Sequence, residues 1–171
     1  MIGARWRGLL TGQLVAEISS IISAAGAAIL ASRRASLDVR TKTDHSPVTS
    51  ADHASEAVML EGMARLLPGV PEISEEAGCA HSNISGMFVL IDPLDGTREF
   101  VAGRDEFTIN PAIIEAGRPQ FGIIAAPARG LIWRGIPGAG AERLRFVPGE
   151  PASTRRDPAR GRGPVRVLSP W

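Results

Sequence analysis

Four apolar residues, Phe88-Val89-Leu90-Ile91, run directly into Asp92-Pro93-Leu94-Asp95-Gly96-Thr97. An apolar run of that length reads as a short buried strand. Pro93 and Gly96 are expected to break it. The break leaves two carboxylates three residues apart at a strand end, where a tight turn fixes side chains better than a mobile loop does. Asp92 and Asp95 can offer anionic oxygens to a hard divalent cation, with the Leu94 carbonyl between them as a third oxygen. Gly96 has no Cβ, so the backbone there can come close to a bound group. The Gly96 and Thr97 amides could then point at a phosphate. Asp-Pro and Asp-Gly are also common turn pairs, so the rest of the chain must decide between a plain turn and a site.

At 171 residues the chain fits one domain and can bury a real core. A hydrophobic content of 44% suits a soluble globular protein, and a net charge of +1 argues against broad electrostatic binding to nucleic acid. The single Cys79 excludes an internal disulfide, and no Cys/His cluster has zinc spacing. A reducing cytoplasm fits. Arg5 and Arg7 precede an apolar stretch, as in a signal peptide. The uncharged part, Ile18 to Ser32, is only 15 residues long, short for a bilayer span, and Glu17 interrupts it. Leu14, Ile18, Ile21, Ala25 and Ile29 recur at helical steps, which predicts a core helix from about Thr11 to Arg34. Thr11 suits the N-cap, and Arg33 and Arg34 suit the negative end of the dipole.

Residues 36 to 50, which include Lys42, read as an exposed segment or a loose hairpin. Thr49 or Ser50 can cap a helix that continues to about Leu67, before Pro68-Gly69 ends it. Asp52 falls in its first turn, placed there for the dipole or as an outer metal ligand. Pro71-Glu72-Ile73-Ser74-Glu75-Glu76 reads as a short strand that ends in two carboxylates, Glu75 and Glu76. Those two are either a solvated pair or partners of Asp92 across a cation. Residues 77 to 86 read as a surface loop, and Arg98-Glu99-Phe100 leads into a polar loop at 102 to 106. Strands are predicted at Phe107 to Ile114, Pro119 to Ala125 and Leu131 to Arg134, an antiparallel meander. The expected fold class is α+β, with helices layered on an antiparallel sheet. The predicted domain covers residues 1–135. Residues 136–171 are rich in Gly, Pro and Arg and read as a tail with one terminal strand near Val165 to Leu168.

Ser46-Pro47-Val48-Thr49-Ser50-Ala51-Asp52, then Ser74-Glu75-Glu76, then Asp92-Pro93-Leu94-Asp95-Gly96-Thr97 resemble the inositol monophosphatase superfamily in order and spacing. Arg98-Glu99-Phe100 and Asp105-Glu106-Phe107-Thr108-Ile109-Asn110 resemble its 3'(2'),5'-bisphosphate nucleotidase branch. The likeness covers roughly residues 12 to 135. It implies a magnesium-dependent phosphatase that removes the 3'-phosphate of 3'-phosphoadenosine 5'-phosphate, a by-product of sulfate assimilation. By resemblance, Glu75, Asp92, the Leu94 carbonyl and Asp95 would hold two Mg2+ ions. Asp52 and Glu76 would sit in an outer or third-metal shell. Thr97 with Glu75 would activate the attacking water, with Asp95 beside them in the catalytic set. Gly96, Thr97 and Lys42 would hold the phosphate. The chemistry is consistent: a phosphate monoester carries about two negative charges, and two metals about 4 Å apart can neutralise charge and orient a water.

Full-length members of that family carry a second domain with a Trp-Asp motif that completes the second metal site. Trp171 has no aspartate after it, and no other Trp is followed by Asp. Asn110-Pro111 also departs from the usual pattern, because proline lacks an amide for strand pairing. The resemblance therefore implies a first domain of this fold, weak or inactive alone, with its second-domain face open to self-association. The implied partner is a small phosphorylated substrate of the 3'-phosphonucleotide kind, with no nucleic acid and no integral membrane. The implied place is the cytoplasm, or the periphery of the inner membrane. Two alternatives stay open: an inositol-1-phosphate or sugar-phosphate phosphatase, and a non-catalytic metal-binding remnant.

Overall fold

The structure is a computed structural model that describes residues 11–35, 39–41, 47–76 and 86–151. Helix α1 spans Gly12–Arg34. Thr11 caps it, its Oγ1 accepting from the Leu14 N–H at 3.2 Å. The stripe that packs inward is Val15, Ile18, Ile22, Ala25 and Ile29, while Leu14 and Ile21 are only partly buried. The predicted periodicity was right in step and off by one residue at two positions. By length and composition this helix could cross a membrane. Ile18, Ile22, Ala25 and Ile29 are at most 1% exposed beneath the sheet, which makes it the core helix.

A two-stranded antiparallel hairpin follows, β1 Val39–Thr41 with β2 Pro47–Thr49. Helix α2, Ser50–Leu66, starts from a capping box. Thr49 Oγ1 accepts from the Ala51 N–H at 3.1 Å, and the Thr49 N–H donates to Asp52 Oδ2 at 2.8 Å. The two helices pack side by side through Gly62. A Cβ there would stand 2.8 Å from Ile21 side-chain atoms, so the approach depends on glycine.

Strands β3 Glu72–Ser74, β4 Met87–Asp95, β5 Thr108–Glu115, β6 Arg118–Ala126, β7 Leu131–Ile136 and β8 Gly140–Arg145 form one sheet in that order. β3 joins β4 in parallel and the other neighbours are antiparallel, so the predicted meander gains a parallel edge. Both helices cover one face. Val89, Ile91, Ile109, Ile113, Phe121, Ile123, Ala125, Ile132 and Leu144 pack there with the α1 stripe. On the other face Leu90 and Ile124 stand 43% and 47% exposed.

Three elements differ from expectation. β4 does not stop at Pro93 but runs to Asp95, with a shift of register between Asp92 and Asp95. Proline has no N–H to lose from a ladder at such an irregularity. Thr97–Val101 forms a short helix, α3, after Gly96 at φ 88°. The expected tail from residue 136 is also not a tail up to Arg145. β8 completes the sheet, and Leu144 and Phe146 are 1% and 7% exposed in the core. Past β8 the chain crosses back over α1, where Ser23 Oγ lies 2.7 Å from the Glu150 carbonyl and 3.1 Å from the Val147 carbonyl. The predicted strand at Val165 to Leu168 lies outside the described residues.

Candidate active site

The end of β4, the start of α2 and the end of β3 converge. Ser55 on α2 donates to the Pro93 carbonyl at 2.8 Å, which ties the irregular end of β4 to that helix. One turn earlier sits Asp52, 0% exposed. Its Oδ2 accepts from the Thr49 N–H at 2.8 Å and from Thr49 Oγ1 at 2.6 Å. Its Oδ1 faces Thr97 Oγ1 at 3.1 Å. Thr97 Oγ1 is also 3.1 Å from the Leu94 carbonyl. The hydroxyl has one proton, so donation to Asp52 leaves the Leu94 oxygen free to face a cation.

Asp92 is half-buried on the open sheet face and lies opposite Asn110 in the register. Burial, and then the charges of Glu75 and Asp95, push its carboxyl up to about 7. The Asn110 amide and the Leu94 N–H, which donate to it, pull the other way. Asp92 Oδ1 and Asn110 Oδ1 are buried with no hydrogen-bond partner. Asp95 is exposed, and its Oδ2 accepts from Asn110 Nδ2 at 3.2 Å. Glu75 follows β3 directly. Its N–H donates to the Ile91 carbonyl at 3.1 Å, which carries it to the side of Asp92. Glu76 is half-buried in the turn beyond.

These oxygens fit a hard divalent cation. Orphaned buried oxygens and crowded carboxylates are what a cation would satisfy, and no softer ligand is among them. Among the described residues no three such side chains are already set to enclose a metal ion. Closing around one therefore requires side-chain rotation, and Glu75 and Asp95 are the exposed members of the set. Gly96, expected to let a bound group approach, has an intramolecular reason for being glycine. At φ 88° its Cβ would lie 2.7 Å from the Glu106 carbonyl oxygen. Gly96→Ala should lower the melting temperature by several degrees, since the residue meets both a left-handed backbone and a clash with backbone. Thermal unfolding beside Gly69→Ala, which meets nothing within 4 Å at φ 80°, separates the clash from the backbone cost.

The structure brings Glu75, Asp92, Leu94, Asp95, Gly96, Thr97 and Asp52 together, and Lys42 lies outside the described residues. Sequence reasoning passed over three contributors. Asn110 bridges the two aspartates, Thr49 holds Asp52, and Ser55 holds Pro93. The signal available for Asn110 was its alternation with buried Ile109 and Pro111, which puts it on the opposite face, level with Asp92.

Two helices thus cover one face of a mixed sheet, with carboxylates gathered at a strand end beside a glycine turn. The chain belongs to the inositol monophosphatase family, whose model matches residues 13–164. It is 40% identical over 104 residues to the 3'(2'),5'-bisphosphate nucleotidase CysQ of Escherichia coli K12, covering 60% of this chain and 42% of that protein. The chain thus spans about two fifths of the length of that curated relative. Among solved structures, the Thermotoga maritima IMPase TM1415 superposes with a TM-score of 0.69 at 25% identity over 78% of this chain and 51% of that one. An IMPase/NADP phosphatase solved with Mg2+ and phosphate shares the fold, with a TM-score of 0.60 at 21% identity, over 67% and 44% of the two chains.

Proposed function

We propose that the chain is a magnesium-dependent phosphomonoesterase of the bisphosphate nucleotidase kind, acting in the cytoplasm on a 3'-phosphonucleotide such as 3'-phosphoadenosine 5'-phosphate. The observation that carries this reading is the bond between the Thr97 hydroxyl and buried Asp52, made at the turn that also carries Asp92 and Asp95. A nucleophile-activating pair and a cation-binding set thereby share one strand end. The likeness to CysQ supports the nucleotide substrate, and Arg98-Glu99 after the turn supports it over an inositol phosphate.

Glu75, Asp92, the Leu94 carbonyl and Asp95 are the oxygens that would hold Mg2+. Bound there, Mg2+ supplies the positive charge that a phosphate dianion and three carboxylates require. The remaining work falls to the chain itself. A water placed on Thr97 Oγ1 donates its proton to that oxygen, while the Thr97 proton passes to Asp52 Oδ1. The water oxygen forms its bond to phosphorus as the phosphorus–O3' bond breaks, and the 3'-oxygen leaves with a proton drawn from solvent. Thr49 fixes Asp52 by two hydrogen bonds, so its other oxygen stays aimed at Thr97. The resemblance paired Thr97 with Glu75. The hydrogen bonding favours Asp52 for that part and leaves Glu75 on the cation side. The Gly96 and Thr97 amides open helix α3, where the first N–H groups have no partner within the helix and can face phosphate oxygens.

Phosphate release from 3'-phosphoadenosine 5'-phosphate, measured beside inositol-1-phosphate with Mg2+ titrated upward, tests the reading. The nucleotide should be hydrolysed with the higher kcat/KM, and only with Mg2+. Equal or better hydrolysis of inositol-1-phosphate would replace the proposed substrate. Mg2+ binding with no release from either compound would favour the non-catalytic alternative.

A further inference from the structure

We propose that Arg33, at the C-terminal end of α1, is a positioning residue for the Gly96-Thr97 turn. The inference rests on the phosphatase reading only for its kinetic consequence; its structural part stands alone. Arg33 is the residue where the first helix meets the loop behind the turn. Its Nη1 donates to Asp105 Oδ1 at 2.7 Å and its Nη2 to the Arg104 carbonyl at 2.8 Å. One guanidinium fork therefore grips two successive residues of that loop. The same guanidinium carbon lies 5.8 Å from the Phe100 ring centroid and 5.7 Å from that of Phe107. Those two rings meet edge to face at 5.1 Å, and both are buried.

Both rings belong to residues that touch Gly96. The Phe100 N–H donates to the Gly96 carbonyl at 2.9 Å and so closes the first turn of α3. Phe107 Cα would lie 3.2 Å, and the Glu106 carbonyl 2.7 Å, from a Cβ on Gly96. Arg33 thus presses on a pair of aromatic residues that brace the turn from its helix side and its loop side. The braced loop also walls a cleft of about 660 Å³ that opens from Asp95 and Gly96, with Arg104, Thr108 and Trp133 around it. From the other side Arg129 pairs with Glu106 at 2.7 Å. That pair is more than half exposed on both members, so water and salt weaken it. The Arg33 side chain is 23% exposed and has the rings beneath it, so it carries the brace.

The plainer role for Arg33 is to face the negative end of the α1 dipole. Arg34 shares that end and makes no hydrogen bond or ion pair with the loop among the described residues, so it serves as the control. The test compares Arg33→Ala, Arg33→Lys and Arg34→Ala by amide hydrogen exchange at Phe100 and Ala102, whose N–H groups bond to the Gly96 and Arg98 carbonyls, by global melting temperature, and by kcat and KM on the nucleotide. Arg33→Ala should speed exchange at Phe100 and Ala102 by about tenfold or more while exchange in α2 stays unchanged. It should lower kcat by about ten- to a hundredfold, as displacement of a catalytic group by a remote change does. Lysine should rescue poorly, because it cannot fork to two acceptors or stack as a plane. Arg34→Ala should stay within about twofold of the parent in every readout, since a terminal charge acts only through the dipole. Should Arg33→Ala fail to fold, Phe107→Leu keeps an apolar core residue, removes one braced ring and should show the same local exchange. Unchanged exchange at Phe100 and Ala102, equal effects from Arg34→Ala, or full rescue by lysine would overturn the proposal. If the parent chain releases no phosphate, the enzymatic reading falls, and the exchange comparison still decides the role of Arg33.

Discussion

Thr97→Ala should lower turnover by about 10²- to 10⁴-fold, the range for loss of positioned proton transfer. The hydroxyl is the group that would link the attacking water of the proposed mechanism to Asp52. Its loss falls on the transition state, so kcat should drop far more than KM rises. Asp52→Asn should cost a comparable amount, because an amide in that place takes up no proton. The double variant should be little worse than either single one, as for residues that act as a unit. Steady-state kinetics on the four proteins checks this. Losses that multiply would show that Thr97 and Asp52 act independently, and a loss confined to KM would move Thr97 to substrate binding. Asp52→Asn also leaves a buried amide facing Thr49, which has donated both its N–H and its hydroxyl to the carboxylate. Its melting temperature should therefore fall, and that of Thr97→Ala should fall as well, because buried Asp52 Oδ1 loses its hydrogen-bond partner.

Asp92→Asn should raise the melting temperature of the metal-free chain and abolish the further rise that Mg2+ gives to the parent. Asp92 is held at about 7 by burial and by the charges of Glu75 and Asp95, against an ordinary 3.8. Between those values the folded chain holds a proton that the unfolded chain has lost. The metal-free parent is therefore most stable, as far as this group is concerned, below about pH 4 and loses that stability as pH rises through 7. Asparagine removes the buried charge and with it this slope. It also removes an anionic ligand, so the cation no longer stabilises the fold by mass action. Melting curves at pH 5 and pH 8, with and without Mg2+, read all of these at once. A parent whose metal-free stability rises from pH 5 to pH 8 through Asp92 would contradict the assignment, as would a variant that keeps the Mg2+ shift.

Local chemistry made much of this legible. Thr11 and Thr49 cap the two helices because their side chains satisfy amides within a few residues, and such contacts are written in the sequence itself. The carboxylates of Asp92 and Asp95 stand where a strand meets a glycine turn, which needs no knowledge of the rest of the fold. Contacts distant along the chain were hidden. Thr97 and Asp52 are 45 residues apart, and only the packing of α2 on β4 brings them together. Asn110 enters the site through the β4–β5 register, which no spacing rule gives. β8 was obscured by composition. Leu144 and Phe146 alternate with Arg143 and Arg145 as a half-buried strand should, yet Gly, Pro and Arg on either side made the segment look unstructured. Arg33 looked like a dipole charge because its partners lie on a loop more than 70 residues away.

The proposed phosphatase requires the end of β4 to be a divalent-cation site built around Asp92. Calorimetric titration of Mg2+ into the protein, run in two buffers of different ionisation enthalpy, tests it most directly. A cation that binds Asp92 must displace its proton. Binding should therefore release protons near pH 7, the release should shrink as pH rises above the Asp92 value of about 7, and Asp92→Asn should release none. No saturable heat from Mg2+, or binding that persists in Asp92→Asn with the same proton release, would contradict the account.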